Sequence, residues 1–209
     1  GRTYRENDMV KADCGGCNGC SRCCHGMGNS IILDPYDVYR MTTGMGKSMQ
    51  ELLAASVELN VVDGVILPNL KMQGTEEACA YLDEEGRCSI HPYRPGICRL
   101  FPLGRYYENG GFSYFLQTGE CAKENRSKIK VSKWIDTPDL TRNQQFTLQW
   151  HDLLHAMEER LTGEDEGKQR EENLLLLRLF YLLPYEGTID FYTQFTERME
   201  HWNGQNGQI

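Results

Sequence analysis

Thiols are the residues of this chain most able to do chemistry, and their spacing says which chemistry. Nine cysteines stand in 209 residues, and eight of them form two groups. The first is Cys17-x2-Cys20-x2-Cys23-Cys24, with Cys14 three residues ahead of it. The second is Cys79, Cys88, Cys98 and Cys121, each on a different short segment. Thiolates at two-residue spacing can grip one metal centre from a single tight loop, because glycine-rich backbone lets successive sulfurs turn inward. The intervening Gly15, Gly16, Asn18, Gly19, Ser21 and Arg22 suit such a loop and cannot build a core.

Size, charge and compartment narrow the reading. A chain of this length buries an ordinary core, so the cysteines are not needed to rescue a mini-protein. The net charge of -8 argues against a general nucleic-acid binder, whose footprint would be basic. No stretch approaches the apolar length of a membrane span, so no membrane association is expected. The opening GRTYRENDMVK lacks the apolar run of a secretion signal. An odd cysteine count without such a signal favours reduced thiols in a cytoplasm, hence metal ligation over disulfides.

The elements that must position these thiols can be read along the chain. Residues 1–30 are polar and glycine-rich and read as a loop around the first group. Asp34 caps a helix that has Pro35 at its first position, carries Val38 and Met41 inward, and stops near Gly44-Met45-Gly46. Ser48 caps a second short helix burying Leu52 and Leu53. Residues 57–62 and 65–70 around Asp63-Gly64 read as a hairpin. Cys79 and Cys88 flank the turn Asp83-Glu84-Glu85-Gly86, which would bring their thiols together. The run His91 to Cys98 reads as a proline-fixed turn and one helical turn that aims Cys98. A further hairpin, 103–107 with 112–116 around Asn109-Gly110-Gly111, leads to Cys121.

Beyond Cys121 the style changes. Lys123, Arg126, Lys128, Lys130 and Lys133 give a basic connector over 123–133. Thr141 and Gln144 form a capping box for a helix carrying Phe146, Trp150, Leu153, Leu154, Met157 and Leu161. A leucine-rich helix follows, ended by Pro184, and Thr188 caps a third with Phe191, Phe195, Met199 and Trp202. Residues 204–209 read as disordered. The expected fold is α+β: a cysteine-rich metal-binding domain of short helices and hairpins over 1–133, and a C-terminal helical bundle over 134–209.

The ordered pair of motifs carries a resemblance. Cys17-x2-Cys20-x2-Cys23-Cys24, then Cys79, then Cys88-Ser-Ile-His-x2-Arg94-Pro95-x2-Cys98-Arg99-x-Phe101-Pro102 resembles the YkgJ-like cysteine-cluster family, a zinc- or iron-chelating CxxCxxCC domain. The likeness runs from about residue 14 to 121, and Ile32-Leu33-Asp34-x2-Asp37-Val38 fits that family's first helix. It implies eight ligands: Cys17, Cys20, Cys23, Cys24, Cys79, Cys88, Cys98 and Cys121. Cys14 is extra to the pattern and either replaces one of them or stays free. Relatives include flagellin lysine-N-methylases, associated with an iron–sulfur cluster, and this tilts the metal toward an iron–sulfur cluster over Zn²⁺.

Thiolate ligation alone suits both metals. Adjacent Cys23 and Cys24 point apart on most backbones, which favours two centres over one. His25 and His91 could ligate or donate to a sulfur, though His91 reads better as a spacer in a fixed turn. His151 and His155, four apart on one helix, read as a solvent-side or core-edge pair. Arg94 and Arg99 could balance an anionic thiolate cluster, grip an anionic substrate, or pair with Asp34 or Asp37. No phosphate-cradling loop, nucleophile elbow or dinucleotide fingerprint is present. Three functions remain: a metal-binding protein, an iron–sulfur enzyme of redox or protein lysine methyl-transfer type, and a zinc-stabilised module for a protein partner.

Overall fold

The computed structural model describes residues 1–16 and 20–206. It is a mixed α and β protein whose residues form two compact units. One unit comprises 1–31 and 72–149; the other comprises 32–71 and 150–209. Each unit therefore joins segments distant in sequence. No helix among the described residues is long and apolar enough to cross a membrane.

The first unit is built from small sheets. Strand β1 (Thr3–Tyr4) pairs with β8 (Gly111–Leu116), which pairs with β7 (Leu103–Glu108) in a three-stranded antiparallel sheet. The β7–β8 turn falls at Asn109 and Gly110, both at positive φ, as the hairpin reading expects. Strand β2 (Met9–Asp13) pairs with β9 (Ser127–Lys130), so the N-terminal segment is not merely a loop and 123–133 is not merely a connector. The alternation explains the pairing. Val10 and Ala12 are buried while Met9 and Lys11 face out. They join a core with Leu100, Leu103, Tyr114, Val131 and Ile135, the last two on helix α4 (Val131–Ile135). Strand β5 (Met72–Gln73) pairs with β6 (Ala78–Cys79), and the short helix α3 (Gly96–Leu100) carries Cys98.

The second unit opens with the helices that the capping signals promised. Helix α1 (Pro35–Met45) starts at a full capping box between Asp34 and Asp37 and ends at Gly46 in the left-handed region. Helix α2 (Met49–Ala55) has the same device between Ser48 and Glu51. The hairpin β3 (Val57–Val62) and β4 (Val65–Leu70) turns at Asp63-Gly64 in the expected register. Asn173 of helix α6 (Glu166–Leu177) holds it, accepting from the Ile66 amide at 2.7 Å and donating to the Gly64 carbonyl at 3.2 Å. A π-helical turn over 178–182 carries Phe180 and Tyr181 inward, and helix α7 (Phe191–Asn206) supplies Phe195 and Trp202. Trp150 meets Phe180 edge-on, with ring centroids 5.0 Å apart.

Two caps differ from expectation. Helix α5 (Leu140–Leu161) begins one residue before Thr141, which leaves that residue inside the helix. Asp190 rather than Thr188 caps α7, accepting from the Thr193 amide at 2.9 Å. An aspartate beside the first helical turn outcompetes a threonine two residues farther out. The helix then runs on to Asn206, so 204–206 are helical, and the expected disorder at 207–209 lies outside the described residues.

Candidate metal centre

The first cysteine group enters the unit through one tight turn. Residues 22–24 form a 3₁₀ turn in which the Cys24 amide donates to the Ser21 carbonyl at 2.8 Å. The His25 ring Nδ1 lies 2.9 Å from that same carbonyl, so His25 secures the turn. The chain is then strapped to the second group. His25 bridges Ala78, and the Gly26 amide donates to the Glu77 carbonyl at 2.9 Å. Cys79 is the next residue after that strap. Two groups more than fifty residues apart in sequence thus converge through backbone hydrogen bonds.

Cys79 and Cys88 are joined by the turn that the sequence places between them. Asp83 accepts from the Glu85 and Arg87 amides, and Leu82 bridges Cys88. The Tyr81 and Leu82 amides reach the Cys79 sulfur, and the Ile90 amide reaches that of Cys88. Amides aimed at sulfur favour thiolate and are the arrangement a thiolate-held metal requires around its ligands. Burial nevertheless outweighs them and holds both thiols above their usual range.

Cys23 and Cys24 lie within hydrogen-bonding reach of each other. The Cys24 thiol hydrogen-bonds Cys23, and this, with the nearby Arg94 charge, pulls Cys23 from 9.0 down to about 6 against its burial. The same bond pushes Cys24 strongly up, reinforced by burial and by Cys23, Cys79 and Cys98. Arg94 lies between Cys88 and Cys98 in sequence, and its charge favours thiolate at Cys88 too. Its guanidinium can only donate, so the close contact with His91 fixes that ring as a neutral acceptor at Nε2. Partial burial and the Arg94 charge keep His91 below its usual range. His91 therefore positions Arg94, a role its spacing alone does not reveal.

Cys14, Cys20, Cys23 and Cys121 line a small cavity of about 20 Å³, room for roughly one water-sized body. Arg22, Lys123 and Trp134 line it as well. Trp134 is fixed by donating from Nε1 to the Leu100 and Phe101 carbonyls at 3.3 and 3.2 Å, which ties the cavity wall to the core. All eight described cysteines are half-buried. Cys17 lies outside the described residues. Among the described residues no three His, Cys, Asp or Glu side chains are arranged to hold one metal ion. The donor chemistry still fits zinc or iron: soft sulfur ligands, amides directed at them, and cationic neighbours.

Other candidates resolve differently. His151 and His155 stack with ring centroids 6.3 Å apart, and His155 is largely exposed, 3.6 Å from both Glu158 and Glu159. That is the solvent-side pair. Arg99 is buried.

A family model described as "CxxCxxCC: Putative zinc- or iron-chelating domain" matches residues 16–131. The chain belongs to that family. No curated protein and no solved structure matches it. The CxxCxxCC match holds every cysteine except Cys14 and stops before helix α5, so α5, α6 and α7 lie outside it. The family description supports metal binding and names zinc or iron without choosing between them.

Proposed function

We propose that this chain is a thiolate metal protein whose two cysteine groups close around iron, held as an iron–sulfur cluster, or around zinc. The ligands are Cys17, Cys20, Cys23, Cys24, Cys79, Cys88, Cys98 and Cys121, with Cys14 beside them. The observation that carries the reading is the backbone strap from His25 and Gly26 to Glu77 and Ala78. It delivers the Cys23-Cys24 turn to Cys79, where amides already face the sulfurs. A bound cluster would supply electron transfer, and a bound zinc would supply rigidity.

What the protein's own residues contribute is electrostatic. Arg94, held by His91, offsets part of the negative charge that several thiolates bring together, while Arg22 and Lys123 do the same at the cavity. Iron–sulfur is the preferred metal form, on the resemblance that the cysteine motifs bear to flagellin lysine-N-methylases. A second reading, an iron–sulfur enzyme of redox or lysine methyl-transfer type, draws on the cavity. A ligand position there that exchanges would let a substrate approach.

The test is purification without oxygen, followed by a visible spectrum and iron, zinc and acid-labile sulfide analysis. A brown protein with broad absorption and labile sulfide is expected. A colourless protein with stoichiometric zinc and no sulfide would reverse the preference and retire the enzyme reading.

A further inference from the structure

Helix α5 presents a donor set that the cysteine groups do not use. Trp150, Leu153, Met157 and Leu161 give the helix a buried side. His151, His155 and Glu159 follow one another at four-residue steps along the opposite side, so their side chains share one stripe. His155 and Glu159 are largely exposed, and His151 is half-buried. The two imidazole rings lie nearly parallel, with planes 19° apart and centroids 6.3 Å apart. His155 Nε2 lies 3.6 Å from a Glu159 carboxylate oxygen. Two ligand atoms that each stand about 2.1 Å from one ion are about 3.4 Å apart at a tetrahedral angle. The observed N···O separation is therefore close to the one a shared ion would set. On the other side of the same ring, a Glu158 carboxylate oxygen lies 3.6 Å from Nδ1. A carboxylate in that place orients a ligating imidazole through its second nitrogen.

We infer that α5 carries a solvent-side site for a divalent transition-metal ion, with His151 and His155 ligating through nitrogen, Glu159 through oxygen, and water completing the shell. Imidazole and carboxylate donors suit Zn²⁺, Ni²⁺ or Co²⁺, so the site differs in kind from the thiolate groups. It also lies beyond the residues matched by the family model and uses none of the cysteines. The three donors do not already converge on one point. Binding takes rotation about exposed side-chain bonds while the helix backbone stays in place. The site is accordingly weaker and more exchangeable than one built of buried thiolates.

Two measurements test the site. The first needs no variant: the full chain, purified without oxygen and with its cysteines as they come, is titrated with paramagnetic Ni²⁺ while the histidine ring proton resonances are followed. The other histidines, His25, His91 and His201, serve as an internal comparison. The ring signals of His151 and His155 should broaden together, at Ni²⁺ concentrations that leave the other three unchanged. Broadening of His25 and His91 first would place the ion at the cysteine groups and overturn the inference, as would no broadening of His151 and His155. The second measurement repeats the titration on variants. Two imidazoles on one ion bind the second donor intramolecularly, so His151→Gln should raise the Ni²⁺ needed to broaden His155 by about tenfold or more. His155→Gln should do the same to His151, and Glu159→Gln should raise the requirement at both rings by a smaller factor. A His155 titration unchanged in His151→Gln would reveal two independent surface imidazoles. That result, or a titration unchanged in Glu159→Gln, overturns the three-donor site.

Discussion

At the scale of single residues, Cys23 and Cys24 show how one hydrogen bond divides two neighbouring thiols. The Cys24 thiol and the Arg94 charge hold Cys23 near 6, while Cys24 is driven the other way. Alkylating the reduced, metal-free chain at pH 7 should therefore label Cys23 first. Cys24→Ala should slow that labelling most, and Arg94→Gln should slow it less. Equal labelling of every cysteine would contradict the assignment. Stability follows the same signs. The folded value for Cys23 lies below its ordinary 9.0, so its contribution is full above about pH 9 and is lost as pH falls through about 6. Cys24 contributes below about pH 9 and loses that contribution as pH rises further. The melting temperature of the metal-free chain should accordingly climb from pH 6 to 9, and Cys23→Ala should flatten the climb. The thiols were fully legible in the sequence. The bond between them was not, because adjacent residues on an average backbone point apart and only the turn over 22–24 brings these two sulfurs within reach.

Elements were legible wherever local chemistry fixed them. The caps Asp34 and Ser48 and the Asp63-Gly64 turn each need only neighbours in sequence, and all three appear as expected; the reciprocal bonds of Asp37 and Glu51 complete the two caps. The β2–β9 pair was hidden for the opposite reason. Its strands lie more than a hundred residues apart, and the basic side chains of β9 mask a register that only pairing with Val10 defines. His91 was hidden too, since its partner Arg94 is set by a fold that the spacing merely permits. A prediction at this scale concerns Asn173. It accepts from the Ile66 amide and donates to the carbonyls of Gly64 and Gln169. Asn173→Ala strands those groups and should cost about 1–3 kcal/mol. Calorimetry should register a lower melting temperature, with metal content unchanged. Loss of metal in that variant would contradict this purely structural role for Asn173.

At the scale of the whole molecule, the two units differ in what holds them. The second has an aromatic core of Trp150, Phe180, Phe195 and Trp202 that needs no metal. The first has a smaller apolar cluster, and its cysteine turns carry little buried hydrocarbon of their own. A structural metal contributes folding free energy on the order of 10 kcal/mol in small thiolate domains, enough to decide whether such turns are ordered. Stripping the metal with a strong chelator should therefore raise hydrogen exchange across 72–100 while 150–206 stay protected. Uniform loss of protection would contradict this division of labour.

The central claim is that these cysteines hold metal, and stoichiometry tests it most directly. Metal per chain should be measured on oxygen-free preparations of the wild type, Cys20→Ser and Cys98→Ser, alongside their melting temperatures. The account predicts tightly held iron or zinc in the wild type, with less metal and a lower melting temperature in each variant. Metal content and melting temperature unchanged in both variants would contradict it.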